Sequence, residues 1–274
     1  MKKILVSTDF SPAAFNAAKY AVHMAQAIHA DIVLFHVYPI PVAYGEVLAD
    51  FNIEEVRLAA ELNIARLKAQ LRKETNGELL IETEIRMGSF YEELKKVCES
   101  LQPYTVVMGS QGTSARDRLL FGSHSLHAIR HLHWPLITVP PTAAFSSIKK
   151  IGLACDLNKM IDNTPIDEIK MLVHDFDAEL HVLNTGKEKV LEPDRIYNPG
   201  MLQEMLEDLD PVYDFVGNEN TDDGILRFAQ EINIDLLLVL PKWHSFLEKL
   251  IRKSHTKHFV LHSHVPVMAL HVAH

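Results

Sequence analysis

Two kinds of segment alternate along the first half of the chain. Short, nearly continuous apolar runs such as "KKILVS" and "DIVLFHV" are typical of strands that are covered on both faces. Between them, apolar residues recur at helical spacing, and the first such segment follows Ser11-Pro12, a favourable helix start. The second is a long amphipathic helix with a predicted apolar face of Ile53, Val56, Ala60, Leu62 and Leu67. Strands that alternate with helices predict crossover connections and a parallel sheet.

The same order of segments restarts after "PPTAAFSS", a linker rich in Pro, Ala and Ser. "KKIGLACD" matches "KKILVSTD" and puts Asp156 at the position of Asp9. Nearer the end of each half, a shift of 131 residues aligns Ser123 with Ser254 and Pro135 with Pro266. Self-similarity of this length indicates an internal duplication. We therefore predict two domains, residues 1–145 and 146–274.

Composition narrows the class of protein. A formal net charge of −9, with no long run of Lys or Arg, argues against nucleic-acid binding, which depends on clustered basic residues. The two cysteines, Cys98 and Cys155, form no CxxC motif, so a reducing compartment is the simpler interpretation. Asp9 interrupts the first apolar run before it reaches signal-peptide length, and no apolar stretch is long enough for a membrane span. We expect a soluble cytoplasmic protein without membrane or nucleic-acid partners.

Candidate binding residues follow from the predicted sheet. Open parallel sheets bind ligands at the carboxyl ends of their strands, where the strand order reverses. In the first half, this rule points to Ser7-Thr8-Asp9, to His36-Val37-Tyr38, and to the loop after the fourth strand. Asp9 could accept hydrogen bonds from ribose hydroxyls, or it could be an ordinary turn or helix-capping aspartate.

The loop after the fourth strand carries an ordered set of glycines. Gly109 and Gly112 are followed by nine residues and then by Gly122-Ser123, which opens the next helix. Glycine lets the main chain approach a phosphate closely, and the N-terminus of a helix attracts anions. Ser123 and Ser125 add hydroxyl groups, so the spacing favours a phosphate site over simple turn glycines. The chain lacks a Walker A Gly-Lys-Ser/Thr, and "STDFSP" lacks the glycines of a dinucleotide fingerprint.

This combination resembles the universal stress protein family in its tandem, two-domain form. ATP-binding members of that family carry G-x-x-G, nine residues and then G-S/T, which this chain reproduces as "GSQG", "TSARDRLLF" and "GS". The resemblance implies an α/β fold of two doubly wound, five-stranded parallel domains with strand order 3-2-1-4-5, an adenine-nucleotide α-hydrolase-like architecture. It also implies an intrachain pseudo-dimer in which the last strands, "PLITVP" and "VPVMAL", pair and cover two sheet edges.

The resemblance also implies a role for each matched position in ATP binding. Ser7, Thr8 and Asp9 would contact ribose and adenine, Val37 would meet the adenine edge through its backbone, and Met108 and Gly109 would line the ribose side. A further group would hold the triphosphate together with Mg2+: Gly112, Gly122, Ser123, His124 and Ser125. His124 departs from the small aliphatic residue that the family often has there.

The second half lacks the glycine set. At the shift of 131, the three glycine positions become Leu240, Trp243 and Lys253, whose side chains would occupy the phosphate region. We expect the C-terminal domain to be a degenerate copy that binds either no ATP or a different ligand, and that acts as the structural partner of the first.

Histidines form a second repeated pattern. His124, His127 and His131 share one predicted helix face, and His255, His258 and His262 repeat them. Helical histidines at such spacing can bind zinc, but no Cys or carboxylate accompanies them at comparable spacing. We therefore predict no metal site here and favour a role in packing that both halves share.

The leading hypothesis is a tandem universal stress protein of the stress response, with one competent ATP site in the N-terminal domain. It would bind, sense or slowly hydrolyse ATP. Any hydrolysis is expected to be slow because the sequence shows no strong catalytic constellation. Two alternatives stay open. One is an ATP-using enzyme of the wider adenine-nucleotide α-hydrolase-like group, with a second pocket in Tyr44–Asp50. The other is an interaction module with a vestigial site. Further association into a homodimer is also open.

Overall fold

The computed structural model describes residues 1–39, 52–110, 123–155, 164–184, 204–216, 221–241 and 255–271. The chain separates into two compact units, Met1–Phe145 and Ser146–His274. Each unit contains a parallel β-sheet and helices. The segment Tyr44–Asp50, considered above for a second pocket, lies outside the described residues.

The first unit has five strands in the order β3-β2-β1-β4-β5, and all neighbours are parallel. This is the order that the family resemblance predicted. The elements in chain order are β1 (Lys3–Ser7), α1 (Pro12–Ala27), β2 (Asp31–Tyr38), α2 (Ile53–Glu74), β3 (Ile81–Met87), α3 (Phe90–Leu101), β4 (Thr105–Gly109), α4 (Ser123–His131) and β5 (Leu136–Val139).

The second unit repeats this plan in the order β10-β9-β6-β7-β8, again with parallel neighbours. Its elements are β6 (Lys150–Cys155), α5 (Ile166–Phe176), β7 (Glu179–Asn184), a 3-10 turn (Glu207–Leu209), β8 (Val212–Phe215), α6 (Thr221–Glu231), β9 (Leu236–Val239), α7 (His255–His262) and β10 (Val267–Ala269). The predicted tandem α/β fold is therefore confirmed. Pairing between the last strands of the two domains stays a prediction.

Local chemistry explains why the first helix begins where it does. Ser11 has an extended backbone, and its hydroxyl oxygen accepts a hydrogen bond from the Ala14 N–H at 3.0 Å. Pro12 occupies the first helical turn, where its missing N–H costs nothing. The apolar residues of β1 are fully buried, as expected for a strand with helices on both faces of its sheet.

Backbone geometry repeats between the two units. Gln102 and Asn233, which the shift of 131 aligns, follow α3 and α6 with left-handed φ values of 46° and 56°. His29 and Asp177 occupy equivalent left-handed positions between α1 and β2 and between α5 and β7, with φ values of 53° and 47°. Such backbone conformations are uncommon for residues with side chains. Their recurrence at matched positions supports an internal duplication.

The predicted apolar face of α2 is partly wrong. Ile53 and Leu62 are 44% and 59% exposed, although both were expected in the core. The residues that pack inward are Ala60, Ile64, Leu67 and Leu71, which we call the inner stripe. The helix carries a second set of apolar residues on another face, and the sequence interpretation merged members of both sets.

Candidate functional site

The carboxyl edge of the first sheet gathers the ends of β1, β2 and β4. The strand order reverses beside β1, because the chain proceeds to β2 on one side and returns to β4 on the other. Ser7 is the last residue of β1, Gly109 is the last residue of β4, and Val37 lies one residue before the end of β2. This is the position at which doubly wound sheets bind ligands.

A network of short hydrogen bonds fixes the turn after β1. The Thr8 N–H donates to the Phe35 carbonyl oxygen at 2.9 Å, and Thr8 Oγ1 accepts from the Phe10 N–H at 3.0 Å. Asp9 Oδ1 accepts from the Ser11 N–H at 2.9 Å. Ser7 and Thr8 are buried, whereas Asp9 is exposed. Asp9 therefore holds the turn, as its alternative interpretation proposed, and also presents a carboxylate to solvent.

His36 supports this turn from the neighbouring strand. Its Nδ1 lies 2.8 Å from the Thr8 carbonyl oxygen, and its ring packs on Phe10 with a centroid separation of 4.4 Å. Burial lowers the pKa of His36, and this effect outweighs the opposing hydrogen bond to Thr8 and the charge of Asp9. The lowered pKa favours the neutral imidazole, and Nδ1–H is the atom that can donate to the Thr8 carbonyl oxygen. His36 was predicted to lie at a strand end, without a role. The pairing of Ser7 with Phe35 puts His36 beside Thr8, and a correct register of β1 and β2 would have indicated this contact.

Gly109 is required by helix packing. A Cβ atom at this position would lie 2.9 Å from the carbonyl carbon of Ala13 and 3.1 Å from the backbone nitrogen of Ala14. Backbone atoms cannot move aside as the end of a flexible side chain can. The first turn of α1 therefore lies against the end of β4 at a distance that only glycine permits.

Ser125 connects the start of α4 to the same strand end. Its side chain is buried, and its hydroxyl donates to the Gly109 carbonyl oxygen at 3.2 Å. Ser110, which follows Gly109, is also buried, and its N–H donates to the Val139 carbonyl oxygen at 3.0 Å. These contacts place the N-terminal turn of α4 at the carboxyl edge, close to the end of β4.

The structure thus brings part of the predicted site together at one edge: Ser7, Thr8, Asp9, Val37, Met108, Gly109 and Ser125. The Met108 side chain is only 6% exposed, so this residue offers little beyond its main chain. Gly112 and Gly122 lie outside the described residues. For Ser123 and His124 the structure describes only their place in the first turn of α4.

The second unit differs at the position equivalent to Gly109. Leu240 follows β9, and it carries a side chain where the first unit requires a glycine. The second unit therefore cannot bring α5 as close to the end of β9 as α1 lies to the end of β4 in the first unit. Asp156, Trp243 and Lys253, on which the predicted loss of the phosphate site also depends, lie outside the described residues.

The repeated histidines contact neighbouring helices at the protein surface. The His127 ring meets the Tyr91 ring edge-on at a centroid distance of 4.6 Å, and the Tyr91 hydroxyl donates to the His131 carbonyl oxygen at 2.7 Å. In the second unit, His258 Nε2 lies 2.7 Å from Asp223 Oδ1, which joins α7 to α6. The described part of the chain contains no group of three His, Cys, Asp or Glu side chains that could hold a metal ion.

A doubly wound parallel sheet with polar groups at its switch point defines a class of α/β proteins, and comparison with known proteins identifies the family within it. The model of the universal stress protein family matches residues 1–140 and again residues 147–271. The chain belongs to the universal stress protein family and carries two copies of its domain. Membership supports a role in the stress response.

Individual relatives agree with this assignment. A universal stress protein of Methanocaldococcus jannaschii is 27% identical over 139 residues, which span 50% of this chain and 81% of that protein. One of Mycolicibacterium smegmatis is 31% identical over 182 residues, 64% of this chain and 58% of that protein. A crystal structure of a universal stress protein from Archaeoglobus fulgidus has a TM-score of 0.73 at 19% identity, with 98% of both chains covered. This structural likeness shows the fold over the whole chain.

The described helices also bear on the question of membrane insertion. None of them is both long and apolar enough to cross a membrane.

Proposed function

We propose that the N-terminal unit binds ATP, with Mg2+, at the carboxyl edge of its sheet. The observation that carries the proposal is the hydrogen bond from Ser125 to the Gly109 carbonyl oxygen, 3.2 Å long. It supports a position of the first turn of α4 beside the strand ends, where free N–H groups and the helix dipole favour a phosphate. The exposed Asp9 carboxylate lies at the end of the adjacent strand β1, where ribose hydroxyls could donate to it.

The roles of the remaining residues follow the family resemblance. The triphosphate would lie against Gly112, Gly122, Ser123 and His124, with Ser7 and Thr8 near the nucleoside. Adenine would meet the main chain at Val37, and ribose would face Met108 and Gly109. A bound Mg2+ would neutralise part of the phosphate charge. The residues present fit such a ligand at its nucleoside end, since Asp9 is a solvent-facing hydrogen-bond acceptor at the strand edge.

Binding, rather than rapid catalysis, fits the chemistry of this edge. The Ser125 hydroxyl donates to Gly109, and Thr8 Oγ1 accepts from Phe10, so both hydroxyls already serve the fold. His36 donates through Nδ1 to the Thr8 carbonyl and is held by Phe10. An activated nucleophile requires an adjacent base, and none of these contacts supplies one. We propose an ATP-binding protein of the stress response that hydrolyses ATP slowly or not at all.

Mass spectrometry of nucleotide released from the purified chain, followed by calorimetric titration with Mg-ATP, tests this function. Gly122→Val should abolish binding, because a branched side chain would fill the phosphate region. The matched control is Lys253→Val, which places the same residue at the equivalent position of the second unit and should leave ATP affinity unchanged.

Three results would change the assignment. Absence of copurified adenine nucleotide, together with no binding heat up to millimolar ATP, would contradict ATP binding and favour an interaction module. Unchanged affinity in Gly122→Val would contradict the proposed phosphate site. Release of AMP or pyrophosphate that depends on a second substrate would instead favour the ATP-using enzyme.

A further inference from the structure

Helix α2 has an exposed apolar stripe in addition to its inner stripe. Leu58 and Leu62 are 46% and 59% exposed, and Ala65 and Ala69 continue the same line in solvent. We call these four residues the outer stripe. Their spacing of 4, 3 and 4 positions keeps them on one side of the helix, roughly opposite the inner stripe. The stripe therefore plays no part in the core of the first unit.

The spacing of the outer stripe is that of a seam between two packed helices. Alternating steps of three and four residues are typical of the positions that face a partner helix in a coiled coil. Helix α2 is 22 residues long, about 33 Å at the standard rise, which is enough for several such layers. The partner must therefore offer a helix of comparable length.

Charge along α2 changes sign at the middle of the outer stripe. Apart from Arg57, the charged residues of its first half are acidic: Glu54, Glu55 and Glu61. Apart from Glu74, those of its second half are basic: Arg66, Lys68, Arg72 and Lys73. A helix with this distribution is complementary to a reversed copy of itself, whereas a parallel copy would place like charges together.

We propose that the outer stripe of α2 pairs antiparallel with α2 of a second copy of this chain. A twofold axis between residues 63 and 64 would oppose Leu58 to the partner's Ala69 and Leu62 to the partner's Ala65. Each large side chain would thus face a small one, as close helix packing requires. Such a self-complementary contact is the usual form of a twofold interface.

Two kinds of charge pair, each present twice by the twofold symmetry, would close this interface. Glu55 and the partner's Arg72 would meet at each end, and Glu61 and the partner's Lys68 would flank the seam. Within one chain, Arg57 Nη1 already donates to Glu61 Oε1 at 2.7 Å. That pair is about half exposed, so solvent weakens it and Glu61 can serve both partners. A single pair of helices buries less area than a standard interface, so the association should be weak and concentration-dependent.

Sedimentation velocity of the full chain at increasing concentration tests the proposal. The wild-type chain should associate in the micromolar range, and Leu62→Glu should abolish the step that depends on α2, because it places two charges in the seam. Met171→Glu is the matched control, since Met171 is 42% exposed on α5 of the other unit. It should leave association unchanged, and all three proteins should keep the same circular dichroism.

Charge exchange gives the decisive comparison. Glu61→Lys and Lys68→Glu should each weaken association about tenfold, and the double variant should recover most of that loss, because the opposed charges are then only exchanged. A wild-type chain that stays monomeric in the high micromolar range would overturn the proposal. So would association that Leu62→Glu leaves intact, or single charge variants that the double variant does not rescue. None of these results depends on ATP binding.

Discussion

The Cβ atom that Gly109 lacks would lie 2.9 Å from the carbonyl carbon of Ala13. Gly109 was predicted to line a nucleotide site, and the structure shows that it also has a packing requirement of its own. The two roles are compatible, because a nucleotide would meet main-chain atoms of Gly109 and not the position of the missing Cβ, which the backbone of α1 fills. They differ, however, in what a substitution would do to the protein.

Gly109→Ala should destabilise the N-terminal unit by about 1–3 kcal/mol, because the added methyl group meets backbone atoms that cannot rotate away. In a Trp243→Phe background, fluorescence of the remaining Trp134 reports urea unfolding of this unit alone. A loss of ATP affinity without any loss of stability would contradict the packing requirement.

Substitutions at Asp9 distinguish its role in the turn after β1 from its proposed contact with the ligand. Asp9→Asn keeps an oxygen that can accept from the Ser11 N–H at the observed 2.9 Å but removes the carboxylate charge. It should weaken ATP binding about tenfold, since a hydrogen bond to a charged group contributes about 1.5–3 kcal/mol. It should lower the free energy of unfolding only slightly, because the Ser11 N–H keeps a neutral acceptor. Asp9→Ala removes both functions and should also lower stability. Equal ATP affinity for wild type and Asp9→Asn, measured by calorimetry, would assign this residue to the turn alone.

His36 should make the free energy of unfolding of the N-terminal unit depend on pH, in a direction that its lowered pKa determines. Because burial lowers its pKa in the folded state, the unfolded chain binds the proton first as the pH falls. The stability that neutral His36 contributes is therefore complete above its ordinary pKa of about 6.5, and it is lost as the pH falls through the lower folded value. His36→Gln should flatten the decline of unfolding free energy as the pH falls below about 6.5.

The exposed His174 supplies the control for this measurement. His174→Gln should leave the pH profile of the Trp134 transition unchanged. An equally steep profile in His36→Gln would show that other groups cause the decline.

Tyr91 should help to hold α3 against α4, and the repeated histidines should bind no metal ion. Removing the Tyr91 hydroxyl in Tyr91→Phe should cost about 1 kcal/mol, the usual contribution of one hydrogen bond, because it releases the contact with the His131 carbonyl oxygen. Neither EDTA nor added Zn2+ should change the melting temperature of the nucleotide-free wild-type chain. A stabilisation by Zn2+ that His127→Ala removes would instead indicate a metal site.

The tandem parallel fold could be predicted because alternating apolar runs and helical spacing are local properties, and the duplication repeats them. The inner stripe of α2 could not, since Leu62 and Ile64 are both apolar and only packing against the sheet decides which one is buried. The same limit applies to Gly109, whose contact with Ala13 depends on how closely α1 crosses β4. The different partners of His127 and His258, an aromatic ring and a carboxylate, likewise arise from neighbouring helices rather than from local spacing.

The central claim is one ATP site per chain, in the N-terminal unit. Isothermal titration of the nucleotide-free, 274-residue chain with Mg-ATP tests it most directly, because the fitted stoichiometry counts sites in both units at once. One molecule of ATP should bind to each wild-type chain, and the Gly122→Val variant should bind none. Two molecules per chain, or binding that survives Gly122→Val, would contradict it.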